Sequence, residues 1–370
     1  ATFSGEDRAR AIGAWSGLGG VATAIGPFLG GWLVEAVSWR WVFLINVPVA
    51  VVVAWITLKH VPESHDTDVE GRLDVAGAVL GATALAGTTY ALIEAPAQGM
   101  GAPAVLGAGV VGLAAAGAFL LVEARISRPM LPPAIFGNRQ FSAANAVTFL
   151  IYAVFGGVFF LLVVHLQVVA GFSPLASGMA MLPITALMLV LSPRAGALGA
   201  RIGPRIPMAL GPLICAGSLL LMLRIGPQAS YVADVLPPVI VLGLGLSLLV
   251  APLTSTALSA VPERQAGLAS GVNNAVARAA GLLAIAVLPS AAGLTGDAYN
   301  DPEAFSAGFG TACAIGAVVL VLGGVLAAAT IRNPAMPEAD HPSHCAVDGT
   351  PAAPGALHQA YDGKGGRTRT

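Results

Sequence analysis

Residues 39–48 read Trp39-Arg40-Trp41-Val42-Phe43-Leu44-Ile45-Asn46-Val47-Pro48 and join two long apolar segments. Two tryptophans flank one arginine, a combination typical of the interface between membrane and water, where amphipathic rings lie at headgroup level. The apolar run that begins here covers 41–58, close to the length of about 20 residues that a helix needs to cross a bilayer. The stretch therefore predicts the entry into a transmembrane helix, with Asn46 and Pro48 one or two turns inside it.

The composition of the whole chain supports the same class. Of the 370 residues, 56% are hydrophobic and 10% are charged, whereas soluble domains contain about 25% charged residues. The apolar residues fall in blocks of roughly 18 to 25, which suit membrane-spanning helices better than the short alternating segments of a membrane barrel. The net charge of −1 leaves no basic face for phosphates, so we expect no nucleic-acid partner. The predicted fold class is an all-α membrane protein embedded in the lipid bilayer.

Charged and Pro/Gly-rich breaks divide most of the chain into ten predicted spans. The spans cover 12–35, 41–58, 73–94, 103–123, 141–168, 174–193, 206–223, 235–258, 266–290 and 308–331. The remaining segment, 332–370, is polar and rich in proline and glycine, so we expect it to be disordered.

The basic residues are distributed very unevenly between the two sides that these spans define. One side receives fifteen of the 18 Lys and Arg residues, the other receives Arg40 and Arg224, and Arg278 falls within a span. Basic loops stay on the cytoplasmic side of a membrane. We therefore expect a multi-pass protein of the cell (plasma) membrane whose C-terminal tail is cytoplasmic.

The first span ends in a second motif, Gly26-Pro27-Phe28-Leu29-Gly30-Gly31. Proline removes one helix hydrogen bond, and the glycines make a smooth face against which another helix packs. Taken alone, this segment also fits a generic small-residue packing face. Its value lies in its position directly before the tryptophan-rich stretch.

In tandem, G-P-x-x-G-G followed by W-R-W-x-F-x-I-N-V-P resembles the fifth and sixth helices of major facilitator transporters. More narrowly, it resembles the fourteen-helix drug:proton antiporters of the EmrB/QacA type. The residues that carry the resemblance are Gly26, Pro27, Gly30 and Gly31 in the antiporter motif and Trp39, Arg40, Trp41, Asn46 and Pro48 in the entry to the sixth helix.

This resemblance implies a major-facilitator-type helical bundle with about ten of its fourteen transmembrane helices present, truncated at the N-terminus. Residues 1–58 would then be the end of the N-terminal bundle, with family helices five and six. Residues 59–140 would hold the two extra central helices with cytoplasmic loops, and 141–331 would form the C-terminal six-helix bundle. Residues 332–370 would be the cytoplasmic tail.

A further motif lies at 196–205, where the chain is similar to the superfamily loop pattern G-x-L-a-D-R-x-G-x-R, with Ala200 in place of the aspartate. The resemblance implies a cytoplasmic gate whose contacts involve helix ends and arginines. An ordinary basic cytoplasmic loop is the alternative. The predicted gate residues are Gly196, Arg201, Gly203 and Arg205.

Two predicted spans supply candidates for a substrate cavity. Asn274 and Arg278 are spaced i, i+4 and so share one helix face; Arg278 either meets an anionic or polar substrate group, reaches a membrane surface, or pairs with a carboxylate. Asn145, Phe149 and Tyr152 follow helical spacing in the fifth span, which the resemblance equates with a cavity-lining helix. Plain helix packing would give the same spacing.

No carboxylate falls at the centre of a predicted span, so the proton-coupling residue stays unknown, with Glu94 as a weak candidate. The one tempting metal pattern is His341-Pro342-Ser343-His344-Cys345, and its Pro- and Gly-rich surroundings argue against a metal site. We expect neither a metal nor another cofactor.

The resemblance implies a secondary active transporter that exports drugs or other small hydrophobic molecules in exchange for protons by alternating access. One alternative is an exporter of an endogenous antibiotic or metabolite, and another is a non-functional truncated remnant. A membrane-embedded enzyme would need a catalytic cluster at bilayer depth, and His165 is the only histidine within a predicted span. The sequence therefore predicts a protein that is not an enzyme.

Overall fold

The computed structural model describes residues 26, 29–60, 74–126, 129–262 and 265–333. Within these ranges the chain forms helices joined by short turns, and no β-strand occurs. The predicted all-α class is confirmed. Residues 29–36 form α1, and the longer helices are α2 (Trp41–His60), α3 (Val75–Gln98), α4 (Pro103–Arg125), α5 (Arg139–Val168), α6 (Pro174–Ile202), α7 (Arg205–Met222), α8 (Tyr231–Ser259), α9 (Ala266–Ala291) and α10 (Pro302–Thr330).

Nine helices in the described ranges, α2 to α10, are long and apolar enough to cross a bilayer. Each overlaps one predicted span, and α1 is the described end of the span predicted over 12–35. The disorder predicted for 332–370 concerns, from residue 334 onward, residues outside the described ranges.

Helix α10 begins six residues before its predicted span because polar residues start it. Asp301 accepts hydrogen bonds from the backbone N–H groups of Glu303 (2.9 Å) and Ala304 (3.3 Å), and Pro302 occupies the first helical position. An aspartate cap followed by proline is a strong start signal for a helix. The apolar run alone marks only the part of the helix that suits the membrane interior.

The predicted loop at 196–205 is mostly helical instead. Residues 196–202 form the last two turns of α6, and only the turn at Gly203 and Pro204 separates α6 from α7. Gly199 faces α8, where a Cβ atom on it would lie 3.1 Å from Cγ of Pro252. Glycine at this position lets the two helices approach closely, so the pattern belongs to a helix end and not to an open loop.

Helix α2 is irregular at one residue near its start, next to Asn46 and Pro48. A first turn, Trp41–Leu44, is followed by a turn residue at Ile45, and the regular helix restarts at Asn46. Pro48 lies in the first turn of that second segment, where its missing N–H group leaves no helix hydrogen bond unmade. The Asn46 side chain donates to the carbonyls of Val42 and Phe43, both at 3.2 Å.

The core of the described bundle lies between α5, α7, α8 and α10. Its fully buried side chains interdigitate across these four helices, and of the four α5 packs most extensively on α9. The largest of these side chains include Ile151, Leu161, Leu219, Leu242, Leu249, Phe305 and Phe309. His165 lies in the same core, stacked on Phe309 at 4.2 Å between ring centroids, with Nε2 2.8 Å from the carbonyl oxygen of Ile225.

Helices α3 and α4 pack against each other, and α3 also contacts α9. Their close approach depends on Gly112, where a Cβ atom would lie 2.5 Å from the backbone nitrogen of Thr88. At one end of the pair, Asp74 caps α3 by accepting from the Gly77 N–H at 2.8 Å. At the same end, the buried Glu123 accepts from the backbone N–H of Leu131 at 2.8 Å and so orders the chain that leads to α5.

Candidate functional site

A cavity of about 800 Å³ opens between α5, α6, α8 and α9. Its volume lies in the range of about 300 to 1,000 Å³ that is usual for sites of drug-sized ligands. The lining residues are Tyr152, Phe155, Gly156, Phe159, Met181, Ile184, Thr185, Met188, Leu246, Val250, Thr254, Ser270, Asn273, Asn274, Ala277, Arg278, Gly281, Leu282 and Ile285.

Helix α9 supplies the charged and amide groups of this cavity. Ser270, Asn274 and Arg278 follow one another at intervals of four residues, so they lie on one face of the helix. The lining contains no Asp or Glu among the described residues, and Arg278 is its only charged member there. The Asn274 side chain donates to the backbone carbonyl of Ser270 at 3.2 Å.

The other walls are mainly aromatic and flexible. Helix α5 contributes Tyr152, Phe155 and Phe159, and α6 contributes Met181 and Met188. Aromatic rings offer large flat contact areas, and methionine adapts its shape to different ligands. Hydroxyl groups on α5, α6 and α8 add a few polar atoms to this otherwise apolar surface.

The position of α9 relative to α5 depends on a glycine contact. A Cβ atom on Gly156 would lie 2.5 Å from Cα of Gly281 and 2.8 Å from its carbonyl oxygen, so the two backbones touch. Small residues permit this distance between membrane helices, and dispersion contacts along the backbones then stabilise the pair. The contact fixes the α9 face that carries Arg278 next to the aromatic residues of α5.

A buried polar cluster joins the same two helices. The Asn273 side-chain amide donates to Oγ1 of Thr148 (2.9 Å) and to Oδ1 of Asn145 (3.3 Å). The Asn145 amide in turn donates to the carbonyl of Phe141 at 3.0 Å. Hydrogen bonds between membrane helices hold their register because no water is present to replace them.

Replacing Asn273 by alanine should therefore destabilise the bundle more than replacing its neighbour Asn274 does. The first change removes two hydrogen bonds between helices, for an expected loss of about 1 kcal/mol. The second removes a bond within one helix only. Thermal unfolding of both purified variants is the measurement, and equal midpoints for the two would contradict the prediction.

The structure brings together three of the five predicted cavity residues. Tyr152, Asn274 and Arg278 line one cavity, whereas Asn145 and Phe149 lie outside its lining. Asn145 is buried against α9, and Phe149 is 40% exposed. Sequence reasoning missed the interhelical role of Asn273, although its place beside Asn274 and the pairing of α5 with α9 would have indicated it.

The two motifs of α1 and α2 lie apart from this cavity. Gly31 packs on α6, where a Cβ atom on it would lie 2.8 Å from Cα of Leu175, and Glu35 accepts from the Leu175 N–H at 3.3 Å. Cβ atoms added to Gly26 or Gly30 would meet no described atom within 4 Å, and Pro27 lies outside the described residues. Trp39, Arg40 and Trp41 are exposed, with the Arg40 guanidinium 5.0 Å from the Trp39 ring centroid.

The predicted gate residues meet the end of α10. Asn333 accepts from the Arg205 N–H at 3.2 Å and donates to the carbonyl of Ile202 at 3.3 Å. The Arg205 side chain donates through Nε to the carbonyl of Ala328 at 2.6 Å. These bonds join the turn between α6 and α7 to α10, with Arg201 exposed in the last turn of α6.

A second connection at the same end joins α10 to the start of α5. The Gln140 side chain and the Arg332 backbone exchange two hydrogen bonds, of 3.0 and 3.1 Å. Glu94, the weak coupling candidate, accepts from Gln98 at 2.8 Å and lies outside the cavity lining. The described residues contain no cluster of metal-ligating side chains, and the pattern around His341 lies outside them.

The fold of apolar helices around an amphipathic cavity agrees with a comparison of sequences. The profile of the Major Facilitator Superfamily matches residues 1–285, more than three quarters of the chain. The chain belongs to the major facilitator superfamily. It is thus a multi-pass membrane protein of a family of transporters, and the prediction that it is not an enzyme is confirmed by its family.

Relatives within this superfamily carry names of resistance and export. The chain is 34% identical over 288 residues to the multidrug resistance protein Stp of Mycobacterium tuberculosis, covering 77% of this chain and 52% of that protein. It is 36% identical over 293 residues to the tetracenomycin C resistance and export protein of Streptomyces glaucescens, covering 79% and 54%. It is 30% identical over 337 residues to the lincomycin resistance protein of Streptomyces lincolnensis, covering 91% and 68%. The chain spans about half the length of the first two.

Proposed function

We propose that the complete gene product is a proton-coupled efflux transporter for drugs or other small hydrophobic molecules. The cavity between α5, α6, α8 and α9 carries the proposal, because its aromatic and thioether walls suit flat apolar ligands while α9 presents polar groups to orient them. The names of the resistance proteins that resemble the chain support the same activity. Tyr152, Asn274 and Arg278 are the proposed contact residues.

Further parts of the proposal concern the membrane and the gate. The protein lies in the cell membrane with the arginine-rich ends of its helices and its C-terminus in the cytoplasm, which the positive-inside distribution of Lys and Arg supports. Residues 1–58 end one bundle and 141–331 form the other, with α3 and α4 between them. The turn at Gly203 and Arg205 acts at the cytoplasmic gate, and Gly26, Pro27, Gly30 and Gly31 serve as the antiporter motif.

Export of an endogenous antibiotic is the second candidate function. The resemblance to a protein named for both resistance to and export of tetracenomycin C favours it. The two candidates differ in cargo and not in mechanism. Deleting the gene in its native host separates them: an endogenous exporter leaves a metabolite trapped inside the cells, whereas a drug exporter changes only the response to added compounds.

Energised cells that express the complete gene product test the main proposal. We expect lower steady-state accumulation of at least one member of a panel of neutral, acidic and basic fluorescent aromatic compounds, and we expect a protonophore to cancel the difference. Cells with a vector alone are the control. Efflux that persists after collapse of the proton gradient would refute proton coupling, and unchanged accumulation of every compound would favour the non-functional remnant.

A further inference from the structure

The charge of Arg278 lies near the middle of its membrane-spanning helix. It is the thirteenth residue of α9, Ala266–Ala291, so roughly 18 Å separates it from either end at 1.5 Å per residue. An arginine side chain is too short to carry its guanidinium over this distance to a headgroup region. The length of α9 therefore argues against Arg278 reaching a membrane surface, one of the alternatives that the sequence left open.

The surroundings of Arg278 offer few groups to balance its charge. The described lining of the cavity contains no carboxylate, while a guanidinium carries five N–H donors and no acceptor. The side-chain NH2 of Asn273 donates to Asn145 and Thr148, and that of Asn274 donates to the Ser270 carbonyl. The side-chain oxygens of these asparagines can accept hydrogen bonds from a guanidinium, but they carry no charge to balance it. The cavity is thus lined by the permanent positive charge of Arg278, near the middle of α9, and by the aromatic side chains of α5.

We propose that the cavity selects aromatic molecules that carry a carboxylate or a comparable acidic group. Arg278 binds the acidic group through two parallel hydrogen bonds, and Tyr152, Phe155 and Phe159 cover the aromatic body. Arg278 repels a cationic ligand at this place, because the low dielectric constant of the membrane interior screens the repulsion only weakly. This inference rests on the proposed function, because it treats the cavity as the substrate site.

The opposing reading is that a carboxylate of another part of the protein pairs with Arg278 and holds two helices together. Such a pair would make Arg278 important for folding and for every substrate alike. The acidic-ligand proposal predicts instead that Arg278 acts on one chemical group of the ligand. A matched pair of ligands that differ in this group distinguishes the two readings.

Rhodamine B and its methyl ester form such a pair: both carry the same cationic xanthene ring, and only rhodamine B has a free carboxylate to offset it and to meet Arg278. We expect the complete gene product, purified in lipid nanodiscs, to bind rhodamine B about tenfold more tightly than the ester by fluorescence polarisation. Arg278→Gln should bring the two affinities within about twofold by weakening the binding of the acid. Arg278→Lys should keep part of the preference for the acid. Its ammonium group provides the positive charge but cannot form the two parallel hydrogen bonds of a guanidinium. Arg224→Gln, at an exposed arginine outside the cavity lining, should keep all of it.

The inference is overturned by equal affinities of the original protein for both dyes, by binding of neither dye, or by a preference that survives in Arg278→Gln. A uniform loss of both dyes in Arg278→Gln also overturns it and assigns Arg278 to a structural pair. Because binding is measured without a proton gradient, its outcome is independent of the efflux assay. Acid-selective binding without any transport would refute the proposed function and leave the inference about the ligand intact.

Discussion

Replacing Gly156 by alanine should destabilise the bundle by about 3 kcal/mol and abolish most transport activity. The new Cβ atom would lie 2.5 Å from Cα of Gly281, a distance that carbon atoms do not adopt, so α5 and α9 must move apart. Overpacking of this kind typically costs about 1 to 3 kcal/mol, and the upper end applies because the obstacle is backbone that no rotamer change relieves. Thermal unfolding and dye efflux of the same preparation measure the two effects.

Gly281→Ala is the matched control for folded stability, since it changes the other glycine of the same contact. A Cβ atom on Gly281 would lie 3.8 Å from Cα of Gly156, which is an ordinary contact. This variant should unfold at or slightly above the original temperature, because alanine favours a helix by about 0.5 to 1 kcal/mol over glycine. Similar unfolding temperatures of Gly156→Ala and Gly281→Ala would show that the backbones of α5 and α9 are not in direct contact at these glycines.

Gly203→Ala should lower the free energy of unfolding by about 2 kcal/mol or more. Gly203 has φ 87° and ψ 154°, a conformation that only glycine adopts readily and that costs other residues about 1 to 3 kcal/mol. A Cβ atom there would also collide with the side chain of Asn333. The substitution therefore strains the turn between α6 and α7 and separates it from the end of α10, and thermal unfolding measures the loss.

Gly196→Ala, in the same motif, separates this strain from a general effect of alanine. Its Cβ atom would lie 3.6 Å from that of Ala251, within normal packing distance, so little change is expected. In the double variant Gly203→Ala/Asn333→Ala, the collision disappears and the backbone strain stays. The two substitutions should therefore cost less together than the sum of their separate effects; strict additivity would refute the collision.

The sequence was sufficient to predict the spans because each apolar block matches the thickness of a bilayer. The ends were less accurate, because a helix continues past the apolar run wherever caps and exposed polar residues allow. Helix α6 continues through Arg194 and Arg201 to Ile202, residues whose charge looks like a loop. Charge marks the edge of the membrane and not the end of the helix.

Part of the candidate site was predictable, because the spacing of residues along a helix shows which of them share a face. Asn274 and Arg278 share a face by spacing alone, and that face lines the cavity. Asn145 and Tyr152 also lie on α5, but Asn145 points at α9 and Tyr152 at the cavity. A helix that is surrounded by other helices can carry functional or structural polar groups on several faces. Which face lines the cavity and which packs on a neighbour depends on the tertiary packing, which the spacing of residues in one helix does not reveal.

The hydrogen bonds of Asn333 to Ile202 and Arg205 and those of Arg332 to Gln140 have a mechanical consequence. They connect the start of α5, the α6–α7 turn and the end of α10 at one end of the bundle. Separating any one of these three ends from the others would break hydrogen bonds, so we expect the three to move together.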